Sequence, residues 1–158
     1  MASLGEKALN AMNVSYSSHE YDYRKKGAEA AAEALEIPLS ATLKTLVVAL
    51  PDKEFAFLMA PGDVSVSMRN FARTLKVKSA ELASERDAQR LTGYQVGGIG
   101  PFGSRTPLPV YVDLKALDYD TVYFNGGRRG LILGIETEAL LDAAQAELVD
   151  VSLTESKG

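Results

Sequence analysis

The sequence contains no cysteine and a single histidine, His19. Without thiols it can form no disulfide scaffold, thiol nucleophile or thiolate zinc site, and one imidazole excludes multi-histidine metal centres. A serine triad would have to recruit His19, and no nucleophile elbow accompanies it. With no metal-ligating neighbour in sequence, His19 reads as a surface or packing residue. Neither a metal nor a cofactor is expected. Long apolar runs are missing too: none approaches the roughly 18 residues of a membrane span, and the stretch from Met1 to Asn10 includes Glu6 and lacks an apolar signal core. The expectation is a soluble, cytoplasmic protein with no membrane partner.

What is present is a globular composition. Hydrophobic residues make up 46% and charged residues 24%, while 13 glycines and 6 prolines are too few for a low-complexity chain. A length of 158 residues suits one domain spanning 1–158 and is short for two cores of ordinary size. The net charge of −4 is unevenly spread: residues 136–158 set Lys157 against six acids, a balance of −5, so the rest of the chain stands at +1. The pI near 5.1 would argue against a nucleic-acid partner only if the charge were even, and a local basic face stays open.

Periodicity predicts the elements. Leu4, Ala8, Leu9, Ala11 and Met12 recur at helical spacing, and Val14 to Tyr23 reads as a strand. Gly27 to Leu35 is an alanine-rich helix behind Arg24, Lys25 and Lys26, ending ahead of Pro38. Thr45–Leu50 and Phe55–Ala60, separated by Pro51, Asp52 and Lys53, read as a hairpin. Ser65 or Ser67 can cap a helix through Leu75, and Ser84 with Asp87 a second, exposing Arg69, Arg73, Arg86 and Arg90. Three strands, Val110–Asp113, Thr121–Phe124 and Gly130–Ile135, precede a helix near Thr137–Ala144. Strand and helix do not alternate regularly, so the expected fold is mixed α/β (α+β), with a mixed sheet or barrel rather than a doubly wound sheet.

Between the second capped helix and Val110 lies the most unusual segment, dense in glycine. Gly98-Ile99-Gly100-Pro101-Phe102-Gly103 satisfies the dinucleotide pattern letter by letter, but Thr106, Pro107 and Pro109 lead into a strand where that pattern requires a helix. Two readings of the loop stay open: a nest of amides for a carbonyl oxygen or oxyanion, or a tight turn between sheet layers. Lys44, at the start of an apolar strand, either protects an edge or holds a substrate carbonyl, carboxylate or phosphate. Arg128-Arg129 beside Gly126, Gly127 and Gly130 can grip phosphate or form a solvated turn.

Taken together, Leu43-Lys44-Thr45-Leu46-Val47-Val48, then Thr92 to Gly103, then Gly126-Gly127-Arg128-Arg129-Gly130-Leu131, resemble the YbaK family, which includes the editing insertion of bacterial prolyl-tRNA synthetase. The resemblance implies a barrel-like mixed sheet surrounded by helices. It also implies a freestanding deacylase of mischarged tRNA, typically tRNA for proline carrying alanine or cysteine, with prolyl-tRNA synthetase as a partner. On this resemblance Lys44 is the functional lysine, followed by Thr45. Tyr21 is the pocket tyrosine, and Gly97, Gly98 and Pro101 belong to the loop near the aminoacyl ester. Asn125, before Gly126, stands where the cysteine-specific branch has serine, and Ile132 where that branch tends to carry an acid. The attacking group would be the substrate's own or a water. Two other classes fit the same fold: a noncatalytic tRNA- or synthetase-binding module, and a small-molecule hydrolase.

Overall fold

A computed structural model describes residues 2–24 and 28–153, so Lys25 and Lys26 of the expected basic lead-in and Gly27, the expected first residue of the helix, lie outside the described residues. Helix α1 (Leu4–Ala11) opens with a full capping box. Ser3 Oγ accepts from the Glu6 amide at 3.0 Å, and the Ser3 amide donates to Glu6 Oε1 at 2.9 Å. Strand β1 (Ser17–Glu20) is shorter than the Val14–Tyr23 expected, because only these four residues find a partner strand. Helix α2 (Ala28–Leu35) ends ahead of Pro38, with Glu36 at positive φ. Strands β2 (Leu43–Leu50) and β3 (Glu54–Pro61) form the predicted hairpin, each longer than expected, around Asp52 and Lys53 at positive φ.

Strand β4 (Ser65–Val66) leads to helix α3 (Met68–Leu75), whose cap is Ser67 and not Ser65: its Oγ accepts from the Asn70 amide at 3.0 Å. After β5 (Glu81–Leu82), helix α4 (Glu85–Thr92) is capped by Ser84 and stopped by Gly93 in the left-handed conformation. Next come β6 (Val110–Asp113), β7 (Thr121–Asn125), β8 (Leu131–Glu136), α5 (Thr137–Ala144), β9 (Glu147–Val149) and β10 (Ser152–Leu153). The segments β4, β5, β9 and β10 are too short to show an alternation in sequence.

Five strands form a mixed sheet in the order β5-β2-β3-β6-β9, with β6 parallel to both β3 and β9. Three more, β1-β8-β7, form an antiparallel sheet, and β10 pairs with β4. The fold is mixed α/β, but the expected barrel-like closure is corrected: no closed barrel forms among the described residues. The two larger sheets meet through one parallel bridge, Thr42 with Tyr123, and further along β2 the edge is taken by β5 at Val48 and Ala49. Pleat alternation divides the core. Phe57 and Met59 of β3 join Phe124, Leu131, Leu133 and Leu140 on one side, while Ala56 and Leu58 meet Phe71 of α3 on the other.

Three backbone segments converge where glycines remove the side chains. A Cβ on Gly100 would lie 2.3 Å from the Asn125 carbonyl oxygen, one on Gly98 2.7 Å from Arg128 backbone, and one on Gly5 2.6 Å from the Gly126 carbonyl oxygen. Ser3 Oγ donates to that same Gly126 oxygen at 2.6 Å. The Tyr94 hydroxyl donates to the Phe102 carbonyl at 2.6 Å across the glycine loop, and burial pushes its pKa up to about 12.

Gly100→Ala should cost about 1–3 kcal/mol, read as a lower urea midpoint, because the added methyl meets backbone rather than a movable side chain. A second expectation concerns acid. The Ser3 backbone amide holds the Glu6 carboxyl below its ordinary range, against the opposing cost of its burial. A depressed pKa means this stabilisation is present above the unfolded value of about 4.3 and is lost as pH falls through the lower folded value. The midpoint difference between the wild type and Glu6→Gln should therefore shrink below about pH 4; a difference constant with pH would contradict it.

Candidate functional site

The Thr42–Tyr123 bridge sets the start of β2 beside the end of β7, and the gap between them is a cavity of about 220 Å³. This is below the roughly 300–1,000 Å³ of drug-sized pockets and suits a small group rather than a whole nucleotide. Lys44 and Thr45 line it from β2, Tyr123 and Asn125 from β7, Ile132 from β8, and Tyr21, Tyr23 and Gly97 from loops. Among the described residues its lining holds one cation and no carboxylate.

Lys44 pairs with Ala60 across the hairpin, and its Nζ donates to the Val64 carbonyl in the loop after β3. Half-buried, it is pushed below the ordinary lysine pKa by loss of solvent, with the Asp63 carboxylate opposing that shift. Thr45 Oγ1 is buried and has no hydrogen-bond partner among the described residues; the residue lines the cavity, but this oxygen itself has almost no accessible surface. The Tyr21 amide donates to the Gly130 carbonyl at 3.0 Å, and burial raises its phenol pKa, with Tyr23 adding to the shift. Tyr23 packs over Gly97 so closely that a Cβ there would overlap its hydroxyl, and the Arg129 guanidinium lies 5.3 Å above the Tyr23 ring.

Of the residues singled out in the sequence, Tyr21, Lys44, Thr45, Gly97 and Asn125 share this cavity; Gly98, Pro101 and Gly126 do not line it. These three are buried in the glycine junction behind it, and the Gly98 amide is spent on the Gln95 carbonyl at 2.9 Å. The arginine pair is engaged within the chain: Arg129 Nε donates to Val96 carbonyl at 2.9 Å, and Arg128 meets Glu20 at 3.2 Å. His19 lies half-buried on β1, its Nε2 2.8 Å from Ser17 Oγ and its ring edge-on to Tyr123. Sequence reasoning missed Tyr23, Thr42 and Tyr123. Spacing by two, Tyr21 to Tyr23 and Tyr123 to Asn125, is the signal that could have found two of them. Among the described residues no three His, Asp or Glu side chains cluster as metal ligands, and no helix is long and apolar enough to cross a membrane.

The fold and cavity define a small α/β domain with a site for a compact polar ligand. The model of the aminoacyl-tRNA editing domain matches residues 24–143, and the chain belongs to this family. A protein of Enterococcus faecalis named "Putative Cys-tRNA(Pro)/Cys-tRNA(Cys) deacylase EbsC" is 26% identical over 144 residues, covering 90% of this chain and 88% of that protein. The proline-tRNA ligase of Sulfurihydrogenibium is 31% identical over 90 residues, which are 57% of this chain and 15% of the ligase. Among solved structures, "Crystal structure of a putative trans-editing enzyme for prolyl tRNA synthetase" superposes with a TM-score of 0.86 at 23% identity, covering 96% of both chains. A hypothetical protein reaches a TM-score of 0.88 at 25% identity, with 95% of this chain and 99% of that one covered.

The electrostatics of Lys44 are testable directly. Its side-chain resonances should titrate below the free-lysine value of about 10.4, and Asp63→Asn should lower the midpoint further by removing the charge that favours the ammonium. An unchanged midpoint in Asp63→Asn would separate the two groups.

Proposed function

We propose that the chain is a deacylase acting in trans on mischarged tRNA, hydrolysing the ester that joins an amino acid to the terminal ribose. One observation carries this reading: an amino-acid-sized cavity is lined by Lys44, Thr45 and Asn125, and among the described residues its lining offers no thiol, imidazole or carboxylate. Such a site is poor at covalent catalysis and suited to positioning an ester that is already activated. The Enterococcus relative, whose printed name is that of a putative deacylase and which matches over most of both chains, supports deacylation, and the relatives' printed names support tRNA for proline as the carrier.

In the proposed reaction a water adds to the ester carbonyl carbon, or a group on the substrate does so first. The bond to the ribose oxygen breaks, that oxygen takes a proton, and the amino acid leaves with a free carboxylate. Lys44 has three donors and gives one to Val64; another can meet the developing oxyanion. Thr45 and Asn125 orient the aminoacyl group, and Tyr21 and Gly97 bound it. Gly98, Pro101 and Gly126 serve the site by holding its wall. The amino acid removed is small, with alanine ahead of cysteine and serine, because Asn125 fills more space than a serine hydroxyl and brings donors as well as an acceptor. Prolyl-tRNA synthetase is the natural source of such errors, and the cytoplasm the place.

Lys44→Ala should fold normally and lose roughly tenfold to a hundredfold in kcat/KM on mischarged tRNA, the worth of one charged hydrogen bond. Full turnover by the folded variant would remove Lys44 from the mechanism, and failure of the wild type on every mischarged tRNA would favour the noncatalytic module. Asn125→Ser should change the ratios of kcat/KM among Ala-, Cys- and Ser-tRNA. A uniform drop would reassign Asn125 to general orientation.

A further inference from the structure

The stretch between Asp63 and Glu81 carries four cations, Arg69, Arg73, Lys76 and Lys78, and no acid. At its centre is α3, which buries Phe71 and Ala72 and leaves Arg69 and Arg73 outward. Arg69 is the second residue of the helix, where the positive end of the macrodipole opposes a cation, and no acid in the first turn offsets it. Arg73 follows at i+4 on the same face, a spacing at which like charges repel. Its Nη1 reaches only Asn70 Oδ1, at 3.4 Å. Lys76 ends the helix at φ 61, a left-handed position that glycine or asparagine usually takes.

None of the four is in an ion pair among the described residues. Helix α4 is built the opposite way, with Glu85 and Asp87 in its first turn and Arg90 paired to Asp87 at 3.1 Å. Helix stability therefore explains the charges of α4 and the last-turn Arg73 of α3, but not Arg69 one turn before it, and a polyanion lying along α3 would relieve the repulsion between the two arginines. Between α3 and residues 77–80 runs a groove of about 520 Å³, with Arg69, Arg73 and Lys78 on its walls and Met68, Ala72 and Val77 among its apolar lining.

The groove is close to the cavity. Lys44 holds the carbonyl of Val64, and Ser67, three residues on, caps α3. Three residues of chain reach at most about 11 Å, and eight helical residues rise about 12 Å. We infer that the α3 groove docks the phosphodiester backbone of the tRNA whose aminoacyl end enters the cavity. The identity of the RNA rests on the deacylase reading above; the charge argument stands without it.

The test uses the full chain and the triple variant Arg69→Ala, Arg73→Ala, Lys78→Ala. Binding to an uncharged tRNA(Pro) transcript is measured from 50 to 200 mM salt, alongside turnover of an aminoacylated CCA trinucleotide too short to reach α3. The variant should lose about tenfold or more in tRNA affinity, and its plot of log affinity against log salt should flatten by about 2–3 units, near one per phosphate contact removed. Trinucleotide turnover should stay unchanged, and Arg69→Ala alone should leave the urea midpoint the same or higher. Unchanged tRNA affinity and salt slope would overturn the proposal, as would an equal loss of binding to polyglutamate, which would point to an acidic protein partner. A wild type that binds tRNA through these residues but hydrolyses neither substrate would keep the docking surface and remove the deacylase reading.

Discussion

The cavity exists because three stretches of backbone approach one another more closely than side chains allow. The start of α1, the loop from Gly97 to Gly103 and the turn from Asn125 to Gly130 meet at Gly5, Gly98 and Gly100, with backbone of the 125–129 turn where their Cβ atoms would otherwise sit, a carbonyl oxygen at Gly5 and Gly100. Packing of this kind has no slack, since backbone cannot swing aside as a lysine or methionine tip can. The capping box at Ser3 and the hydrogen bond from Ser3 to Gly126 tie the first helix into the same junction. An N-terminal helix remote in sequence from the cavity thus fixes the turn that follows Asn125.

That constraint bears on the glycine loop. Of the two readings its composition allowed, close packing between layers accounts for Gly98 and Gly100, both buried against the 125–129 backbone, with the Gly98 amide already spent on Gln95. Gly97 alone of the three reaches the cavity, under the Tyr23 ring. In the proposed reaction, stabilisation of a developing oxyanion would then fall chiefly to side chains from β2. Lys44 is held there by its register opposite Ala60 and by the carbonyl of Val64, which restrains an otherwise flexible stem.

Local signals in the sequence carried the local structure. Ser67 and Ser84 sit before their helices with polar or acidic residues at the amide they cap, and Pro51-Asp52-Lys53 interrupts two β-branched and aromatic runs, so the caps and the hairpin were legible. The failures are long-range. β9 and β10 exist only because β6 and β4 accept them, and neither has enough residues to alternate. Barrel closure depends on how far β7 can pair along β2, which a single bridge at Thr42 answers and no propensity encodes. Lys44 could be singled out as an awkward charge in an apolar strand, but its companions Tyr23 and Tyr123 are ordinary strand aromatics until the sheets bring them together. The cation stripe of α3 was visible as exposed arginines; its conflict with the helix dipole required the helix boundaries.

The absence of a carboxylate from the cavity lining shapes the selectivity of the proposed reaction. An aminoacyl group carries an ammonium, and beside Lys44 the described lining offers that charge neutral polar side chains, among them the Asn125 amide and the Tyr21, Tyr23 and Tyr123 phenols. Ile132, on the opposite sheet, adds apolar bulk where an acid would have added attraction. Binding of the amino acid is then governed by size and hydrogen bonding more than by charge, and a pocket of that kind separates residues differing by a methylene only about 10 to 200-fold. Such discrimination is enough to spare a larger cognate residue only if the tRNA is itself recognised, because every correctly charged small amino acid in the cell presents the same ester. Phosphate recognition on α3, outside the cavity but within reach of it, would let a small site act on an ester common to all charged tRNAs without the amino acid having to supply the whole of the specificity.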